Sequence, residues 1–277
     1  MTLIMGIVNV TPDSFSDGGR WASTEDAIGR GLELWRDGAE ILDIGGESTR
    51  PGAGRVPEAE EIARVVPVIR ELAAAGARVS VDTMRSRVAE AALAAGASIV
   101  NDVSGGLADP GMAAVVARSG ADYVVMHWRG HSDVMGGLTG YGDVVAEVRD
   151  ELLAQVRAAE RAGVAPERII VDCGLGFAKE PAHNWELLRS LTAFNELGYR
   201  QLVGASRKRF LGEITGRDAP DRDAASAAVT MWCAQHGVWA VRTHSVGEHL
   251  DAIRVAAALG APHGTGAGRR PEPETGP

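Results

Sequence analysis

The chain repeats one pattern, in which a short apolar run is followed at once by a polar residue. The first run covers residues 3–8 and stops at Asn9. Continuous apolar runs bounded by turn-forming residues are typical of strands buried on both faces of a parallel sheet. Seven more runs follow, and the positions that mark their ends are Asp43, Asp82, Asn101, His127, Asp172, Gly204 and Arg242.

Segments with helical periodicity separate these predicted strands. Between residues 58 and 75, for example, Ile62, Val65, Ile69 and Leu72 recur at the spacing of one helix face. Strands that alternate with helices form a parallel sheet with right-handed crossovers. Eight such units predict one α/β domain over residues 1–262, a (β/α)8 TIM barrel with eight parallel strands and outer helices.

A doubly wound open sheet is the alternative architecture. It is disfavoured because no GxGxxG motif opens a helix directly after a strand. Residues 263–277 contain almost no apolar side chains, so we expect a disordered C-terminal tail outside the barrel.

Charge and cysteine content limit the expected partners and compartment. The formal net charge is −9 at pH 7 and no basic run is present, which argues against nucleic acid and membranes as partners. A small anionic substrate stays compatible, because a local basic pocket can form on an acidic protein. Two cysteines, Cys173 and Cys233, do not make a disulfide framework. We therefore expect a cytoplasmic protein.

Acceptor groups gather at the strand ends, where this fold carries its active site. Asp82, Asn101 and Asp172 together suit a flat heterocycle with amino and lactam edges, since a carboxylate accepts two parallel N–H bonds. Asp102 and His127 are expected to complete the polar ring. For any one position the alternative is a structural cap that satisfies loop amides.

Donor groups follow the last two strands. Lys208, Arg242 and His244 suit a carbonyl and a phosphate or pyrophosphate. Arg242 and His244 are two residues apart on an extended segment, so their side chains are expected to point the same way. The alternative for this pair is a salt bridge to a neighbouring carboxylate.

The residues at these positions resemble a known family, dihydropteroate synthase, over about residues 3 to 260. The matching blocks are MGIVNVTPDSFSDG at 5–18, GGESTRPGA at 45–53, SVDT at 80–83, NDVSG at 101–105, DCGLGF at 172–177 and GASRK at 204–208. The resemblance implies a (β/α)8 barrel that condenses 6-hydroxymethyl-7,8-dihydropterin diphosphate with 4-aminobenzoate in folate biosynthesis. It also implies a sulfonamide target, a Mg²⁺ cofactor and a homodimer.

The resemblance assigns residues to each part of the reaction. It implies that the pterin is bound by Asp82, Asn101, Asp172 and Lys208. It places the diphosphate at Asn9, Arg242 and His244, with Mg²⁺ also at Asn9. The aminobenzoate pocket would contain Phe15, Thr49, Pro51, Phe177 and Lys208. The residues expected to act in catalysis are Asp82, Lys208, Asp17 and Arg50.

Three positions depart from the family pattern. Cys173 stands where proline is usual, Ser245 where aspartate is common, and Arg209 where serine is common. None of these positions carries an assigned chemical role, so the departures do not argue for an inactive homologue.

Other functions on the same barrel are weaker alternatives. A metal-dependent hydrolase would need closely spaced histidines after the first strand, where the chain has Asn9. An enolase-like site would leave Lys208 and Arg242 without a purpose. A pterin-binding methyltransferase would share the acceptor set but would not need the SRK segment at 206–208, and a non-catalytic homologue would not need Lys208, Arg242 and Asp82 together.

Overall fold

The computed structural model describes residues 1–10, 19–47, 56–131 and 134–260. Its eight strands are all parallel and close into a barrel in the order β1 to β8, with β8 paired to β1. The strands are β1 Leu3–Asn9, β2 Ile41–Gly45, β3 Val79–Asp82, β4 Ile99–Asp102, β5 Asp122–Met126, β6 Ile169–Asp172, β7 Arg200–Val203 and β8 Ala240–Thr243. The predicted (β/α)8 barrel is confirmed.

Helices cover the outside of the barrel. They are α1 Gly19–Arg36, α2 Glu58–Ala74, α3 Ser86–Ala94, α4 Met112–Ser119, α5 Val144–Arg161, α6 Pro181–Arg189, α7 Leu191–Asn195, α8 Arg209–Thr215, α9 Asp223–Gln235 and α10 Gly247–Gly260. Within the described ranges, we find no helix that is both long and apolar enough to cross a lipid bilayer.

Side chains of alternate residues on each strand face opposite sides of the barrel wall. The outward-facing set packs under the helices and is mostly β-branched; examples from six strands are Val8, Ile44, Val81, Val125, Val171 and Val241. The inward-facing set forms an apolar layer near the amino-terminal ends of the strands: Met5, Ile41, Ile99, Val124, Ile170, Leu202 and Ala240. The interior is therefore filled at one end and polar at the other.

Two helices begin earlier than their sequence patterns predict. Thr24 fits the N-cap of the first helix, but α1 begins at Gly19, because its opening turn has no apolar periodicity that could locate its start. The sequence predicts the sixth helix from about Asn184, but α6 begins at Pro181. Proline fits the first helical position, and Glu180 and His183 exchange the hydrogen bonds of a capping box.

Two predictions concern the extent of the domain. The barrel expected for residues 1–262 is present through α10, which ends at Gly260. The tail expected at 263–277 lies outside the described residues, so its disorder stays a prediction.

Candidate active site

Strand register places most of the expected site residues on the inner wall. Two residues beyond the apolar layer, each strand reaches its next inward position, near the carboxyl end. That step leads to Asp43, Asn101, Asp172, Gly204 and Arg242, which therefore share the open end of the barrel. Asp82 pairs in register with Gly45 and with Asn101, so it belongs to the same layer.

Arg242 bridges two carboxylates across this layer. Its Nε donates to Asp43 Oδ2 at 2.6 Å, and its Nη2 donates to Asp82 Oδ2 at 2.8 Å. Burial alone lowers the pKa of Arg242, but the charges of Asp43 and Asp82 outweigh it, so the pKa is raised and the guanidinium stays charged. The ion pair considered as the alternative for Arg242 is thus present, and it lies inside the site.

Asp43 also fixes the orientation of Asn101. The side-chain amide of Asn101 donates through Nδ2 to Asp43 Oδ2 at 2.9 Å. Asp43 is fully buried, and the same Oδ2 atom also accepts from Arg242 Nε. The amide nitrogen must therefore face Asp43, which turns the carbonyl oxygen of Asn101 toward the mouth as an acceptor. Asp43 is one of the predicted strand ends, but the sequence pattern assigned no role to it.

Asp82 has a strongly perturbed carboxyl group. Burial raises its pKa to about 7; Arg242 opposes this change, and the negative charge of Asp43 adds to it. A buried carboxylate next to a second carboxylate holds its proton more tightly than one in water. Asp82 therefore titrates near neutral pH, which is common for groups at functional sites.

Asp172 closes the opposite side of the mouth. Its Oδ1 accepts from the Gly174 N–H at 2.8 Å. Burial raises its pKa, while Lys208 and this hydrogen bond lower it. Gly174 has a φ of 68°, and an added Cβ would lie 2.5 Å from the His127 carbonyl oxygen, so only glycine allows this turn.

The charge of Lys208 interacts with the charge of Asp172. Its Nζ donates to the Leu175 carbonyl and stands 4.8 Å from the centre of the Phe177 ring. Burial lowers its pKa to about 8, although the attraction of Asp172 raises it. Lys208 and Phe177, both expected at the aminobenzoate pocket, are therefore in contact.

Arg207 places Lys208 in this position. It has a φ of 58°, which is uncommon for a residue with a side chain. Its guanidinium makes two hydrogen bonds of 2.7 Å to Asp223, and its N–H donates to Ser226 Oγ at 3.0 Å. These bonds to α9 hold the turn that directs the next side chain into the barrel mouth.

His244 is anchored by the same segment. Its Nδ1 lies 3.0 Å from Ser206 Oγ, and its carbonyl accepts from Arg30 Nη2 at 2.9 Å. The family commonly has aspartate directly after this histidine, where this chain has Ser245. Here Ser206 contacts the His244 ring. Ser245 contributes its carbonyl to Thr243 Oγ1 at 2.9 Å.

Asn9 ends β1 beside the acidic side of the mouth. A Cβ added at Gly45 would lie 3.6 Å from Asp82 Cβ and 3.9 Å from Asn9 Oδ1, so the glycine keeps these two side chains near one another. Among the described residues, no group of three histidine, cysteine, aspartate or glutamate side chains forms a metal cluster.

Two members of the expected ring are not in the mouth. Asp102 follows the inward Asn101 and so faces outward, where it accepts from Tyr123 Oη at 2.9 Å and from the N–H groups of Ser104 and Gly106. His127 is also fully buried, with Nε2 2.9 Å from Glu151 Oε2. Period-two alternation sends these side chains toward the helices, and their role as ring members was wrong.

The other departures from the family pattern leave the mouth unchanged. Cys173 is fully buried, and burial raises the pKa of its thiol to about 12. Arg209 is largely exposed and pairs with Glu213 at 3.4 Å, one turn along α8. It does not add a cation to the site around Lys208.

Five expected site residues lie in the two loops after β1 and β2. Phe15, Asp17, Thr49, Arg50 and Pro51 all fall outside the described residues. Their assigned parts in the aminobenzoate pocket and in catalysis stay predictions.

Comparison with known proteins identifies the family of this chain. A family model described as pterin binding enzyme matches residues 5–244. Dihydropteroate synthase from Mycobacterium leprae is 51% identical over 262 residues, which cover 92% of each chain.

Two solved structures of dihydropteroate synthase from Xanthomonas albilineans have the same fold. One, with 4-aminobenzoic acid, has a TM-score of 0.88 at 46% identity and covers 94% of both chains. The other, in complex with 7,8-dihydropteroate, has a TM-score of 0.85 at 43% identity and covers 94% of this chain and 95% of the other. With its barrel, its acceptor set and these likenesses, the chain belongs to the pterin-binding enzyme family and, within it, to the dihydropteroate synthases.

Proposed function

We propose that this protein joins 6-hydroxymethyl-7,8-dihydropterin diphosphate to 4-aminobenzoate, giving 7,8-dihydropteroate and pyrophosphate. The observation that carries the proposal is the arrangement of the inner wall. Three acceptors, Asp82, Asn101 and Asp172, face the mouth together with the cations of Lys208 and Arg242. The ligand-bearing relatives support the same pair of substrates.

The acceptors suit the edge of a dihydropterin. The exocyclic amine and ring N–H groups of that heterocycle are donors, and Asn101 presents its carbonyl oxygen because Asp43 holds its nitrogen. Asp172 uses Oδ1 for Gly174, and we assign its Oδ2 to the substrate. Lys208 supplies the donor for the ring carbonyl. Each polar edge of the pterin thus meets a complementary group.

The cations act where charge develops in the reaction. The C–O bond to the diphosphate breaks, the amine nitrogen of aminobenzoate forms the new C–N bond, and the amine loses one proton. Arg242 and His244 stabilise the departing diphosphate, because pre-placed donors act most strongly in a site that excludes water. Ionised Asp82 stabilises positive charge on the pterin as the bond breaks. The arylamine is already nucleophilic, so no strong base is required.

A magnesium ion fits the diphosphate side of this site. Mg²⁺ prefers oxygen ligands and usually combines one or two protein ligands with waters and substrate phosphates. The amide oxygen of Asn9, at the end of β1, is such a ligand. Mg²⁺ bound there would neutralise charge on the leaving diphosphate.

The aminobenzoate is proposed to bind beside Phe177 and Lys208. The two side chains contact each other at the mouth, which offers an aromatic surface next to a cation for an aromatic acid. The loop residues Phe15, Thr49 and Pro51 are proposed to complete this pocket. Asp17 and Arg50 are proposed to act on the reacting groups from the same loops. We also propose a homodimer, as the family resemblance implies.

Pyrophosphate release tests the proposed function. The purified protein is incubated with the pterin diphosphate, aminobenzoate and Mg²⁺, and pyrophosphate and dihydropteroate are both measured. We expect equal amounts of the two products, and none when aminobenzoate is omitted. A folded sample that releases neither product would overturn the proposal. Methyl transfer from a methylated folate to a corrinoid, assayed in parallel, tests the methyltransferase alternative.

A further inference from the structure

Lys179 is a buried lysine that the proposed reaction does not use. It follows β6, seven residues after Asp172, and its exposed fraction is 7%. Burial lowers its pKa to about 7, because the charged amine loses its hydration. A buried amine needs hydrogen-bond acceptors, since an unsatisfied polar group in a protein interior is costly. The acceptors it uses therefore indicate what it does.

The Nζ atom of Lys179 contacts two acceptors. It lies 3.0 Å from the Phe177 carbonyl oxygen and 2.9 Å from His127 Nδ1. The other ring nitrogen, Nε2, lies 2.9 Å from Glu151 Oε2. Hydrogen bonds from Arg129 lower the pKa of Glu151, so this carboxylate is ionised and only accepts.

The tautomer of His127 follows from these contacts. Since Glu151 only accepts, the ring proton must be on Nε2. Burial and the nearby charge of Lys179 lower the pKa of His127 to about 3, so the ring is neutral at ordinary pH. Nδ1 is therefore an acceptor. Lys179 donates to both His127 and Phe177, and this requires only two N–H groups, which the amine has in either protonation state.

These bonds hold a constrained stretch of chain. Ala178 has a φ of 47°, a left-handed conformation that is unfavourable for a residue with a Cβ. Tyr141 Oη donates to the Ala178 carbonyl at 3.0 Å. Lys179 donates to the preceding carbonyl, that of Phe177. Two consecutive carbonyls are thus held by side chains from outside the barrel mouth.

We propose that Lys179 is a positioning residue for the aminobenzoate pocket. By tying the Phe177 carbonyl to His127 on the wall and to Glu151 on α5, it fixes the backbone from which the Phe177 ring meets Lys208. Lys179 acts through Phe177 and does not touch either substrate. The inference rests on the proposed function, because that function places aminobenzoate at Phe177.

Replacement by methionine tests the inference. Lys179→Met keeps most of the apolar part of the side chain and removes the amine, so both hydrogen bonds are lost. We expect the KM for aminobenzoate to rise about tenfold and the KM for the pterin diphosphate to change less than about twofold, because only the first substrate contacts the displaced ring. Equal changes in both constants, or no change, would overturn the inference. If the wild-type protein forms no product, the proposed function fails instead.

A control variant separates positioning from general loss of stability. Leu72→Ala removes a fully buried side chain from α2, which covers β2 and β3 rather than β6. We expect this variant to lower the melting temperature without raising the KM for aminobenzoate more than the KM for the pterin diphosphate. If Leu72→Ala raises the KM for aminobenzoate selectively, as expected for Lys179→Met, the effect is not specific to Lys179 and the inference is wrong.

A milder variant decides the question if Lys179→Met does not fold. Tyr141→Phe removes only the hydroxyl that donates to Ala178. We expect the KM for aminobenzoate to rise about threefold, with the KM for pterin diphosphate unchanged, because one of the two carbonyl restraints is lost. An unchanged aminobenzoate KM in this variant would overturn the inference, because it would show that restraint of these carbonyls does not position Phe177.

Discussion

Asn101 donates its side-chain N–H to Asp43, and the two residues lie on strands separated by β3. The same carboxylate oxygen accepts from Arg242, so one fully buried atom organises an amide on β4 and a cation on β8. Asp43 thus determines which atom of Asn101 meets the substrate. It holds together the proposed pterin and diphosphate sides of the mouth.

Substitution of Asp43 should therefore impair binding of the pterin diphosphate through Asn101 and Arg242. We expect Asp43→Asn to weaken binding of the pterin diphosphate by about tenfold to a hundredfold, because its amide can donate toward Asn101 and Arg242 and no longer fixes either group. Calorimetric titration measures this loss. Ser80→Ala is the matched control, since Ser80 pairs in register with Asp43 and its buried hydroxyl has no protein partner in the described structure. Similar affinities for Asp43→Asn and wild type would contradict the role of Asp43.

Loss of the Arg242 guanidinium should separate the two substrates. We expect Arg242→Ala to raise the KM for the pterin diphosphate by about a hundredfold and that for aminobenzoate by less than about threefold, because only the first carries the diphosphate. Steady-state kinetics with each substrate varied in turn measures both constants. Arg242→Lys keeps the charge but not the paired N–H groups, so its KM for the pterin diphosphate should lie between those of wild type and Arg242→Ala. Equal effects on both substrates would count against the assignment.

Asp82 should make stability depend on pH. Its folded-state pKa is about 7, against about 3.9 for an unperturbed aspartate, so the folded protein holds this proton more tightly than the unfolded chain. The stability it contributes is present below about pH 4 and is lost as pH rises to about 7.

A variant that cannot titrate isolates this contribution. We expect Asp82→Asn to gain stability relative to wild type as pH rises from 5 to 7, with a constant difference above about pH 8. Urea unfolding at several pH values gives the free energies of unfolding, and the slope of their difference is the result. Parallel curves for the two proteins would show that Asp82 titrates at its ordinary pKa.

Removal of divalent cations should slow the reaction, because they are proposed to bind the leaving diphosphate. We expect a chelator to reduce turnover and added Mg²⁺ to restore it, because the leaving group then loses part of its charge neutralisation. Asn9→Ala should require a higher Mg²⁺ concentration for half-maximal rate. If Asn9→Ala and wild type require the same Mg²⁺ concentration, the ion does not bind at Asn9.

Sulfonamides should inhibit as mimics of aminobenzoate. We expect inhibition that is competitive with aminobenzoate and not with the pterin diphosphate, because the arylamine and the sulfonyl group would occupy the surface beside Phe177 and Lys208 that we propose for aminobenzoate. Initial rates at several concentrations of each substrate distinguish the two patterns. Competition with the pterin diphosphate alone would show that the inhibitor binds at the pterin site and would contradict the prediction.

Strand position was predictable because the pattern of apolar runs is local. The runs ending at Asn9 and Asp82 match β1 and β3. Side-chain direction needs the register of each strand, which depends on its neighbours. The pair Asn101 and Asp102 shows this, because adjacent polar residues face opposite sides of the wall and only the first reaches the mouth.

Long-range partners set the remaining parts of the site. The role of Asp43 depends on Arg242, 199 residues away, and no local spacing connects them. The role of Lys179 depends in the same way on His127, 52 residues earlier. A lysine shortly after the predicted strand ending at Asp172 was the available signal, but burial was needed to give it meaning.

The bridge from Arg242 to Asp43 and Asp82 connects the proposed diphosphate site to the closure of the barrel. The cation is carried by the last strand, whereas its two carboxylates are carried by the second and third. Without β8, these two buried carboxyl groups would lack the guanidinium that bridges them. A barrel without β8 would thus lack both the strand pairs that close it and the cation proposed to bind the diphosphate, so we expect such a chain to bind no diphosphate there.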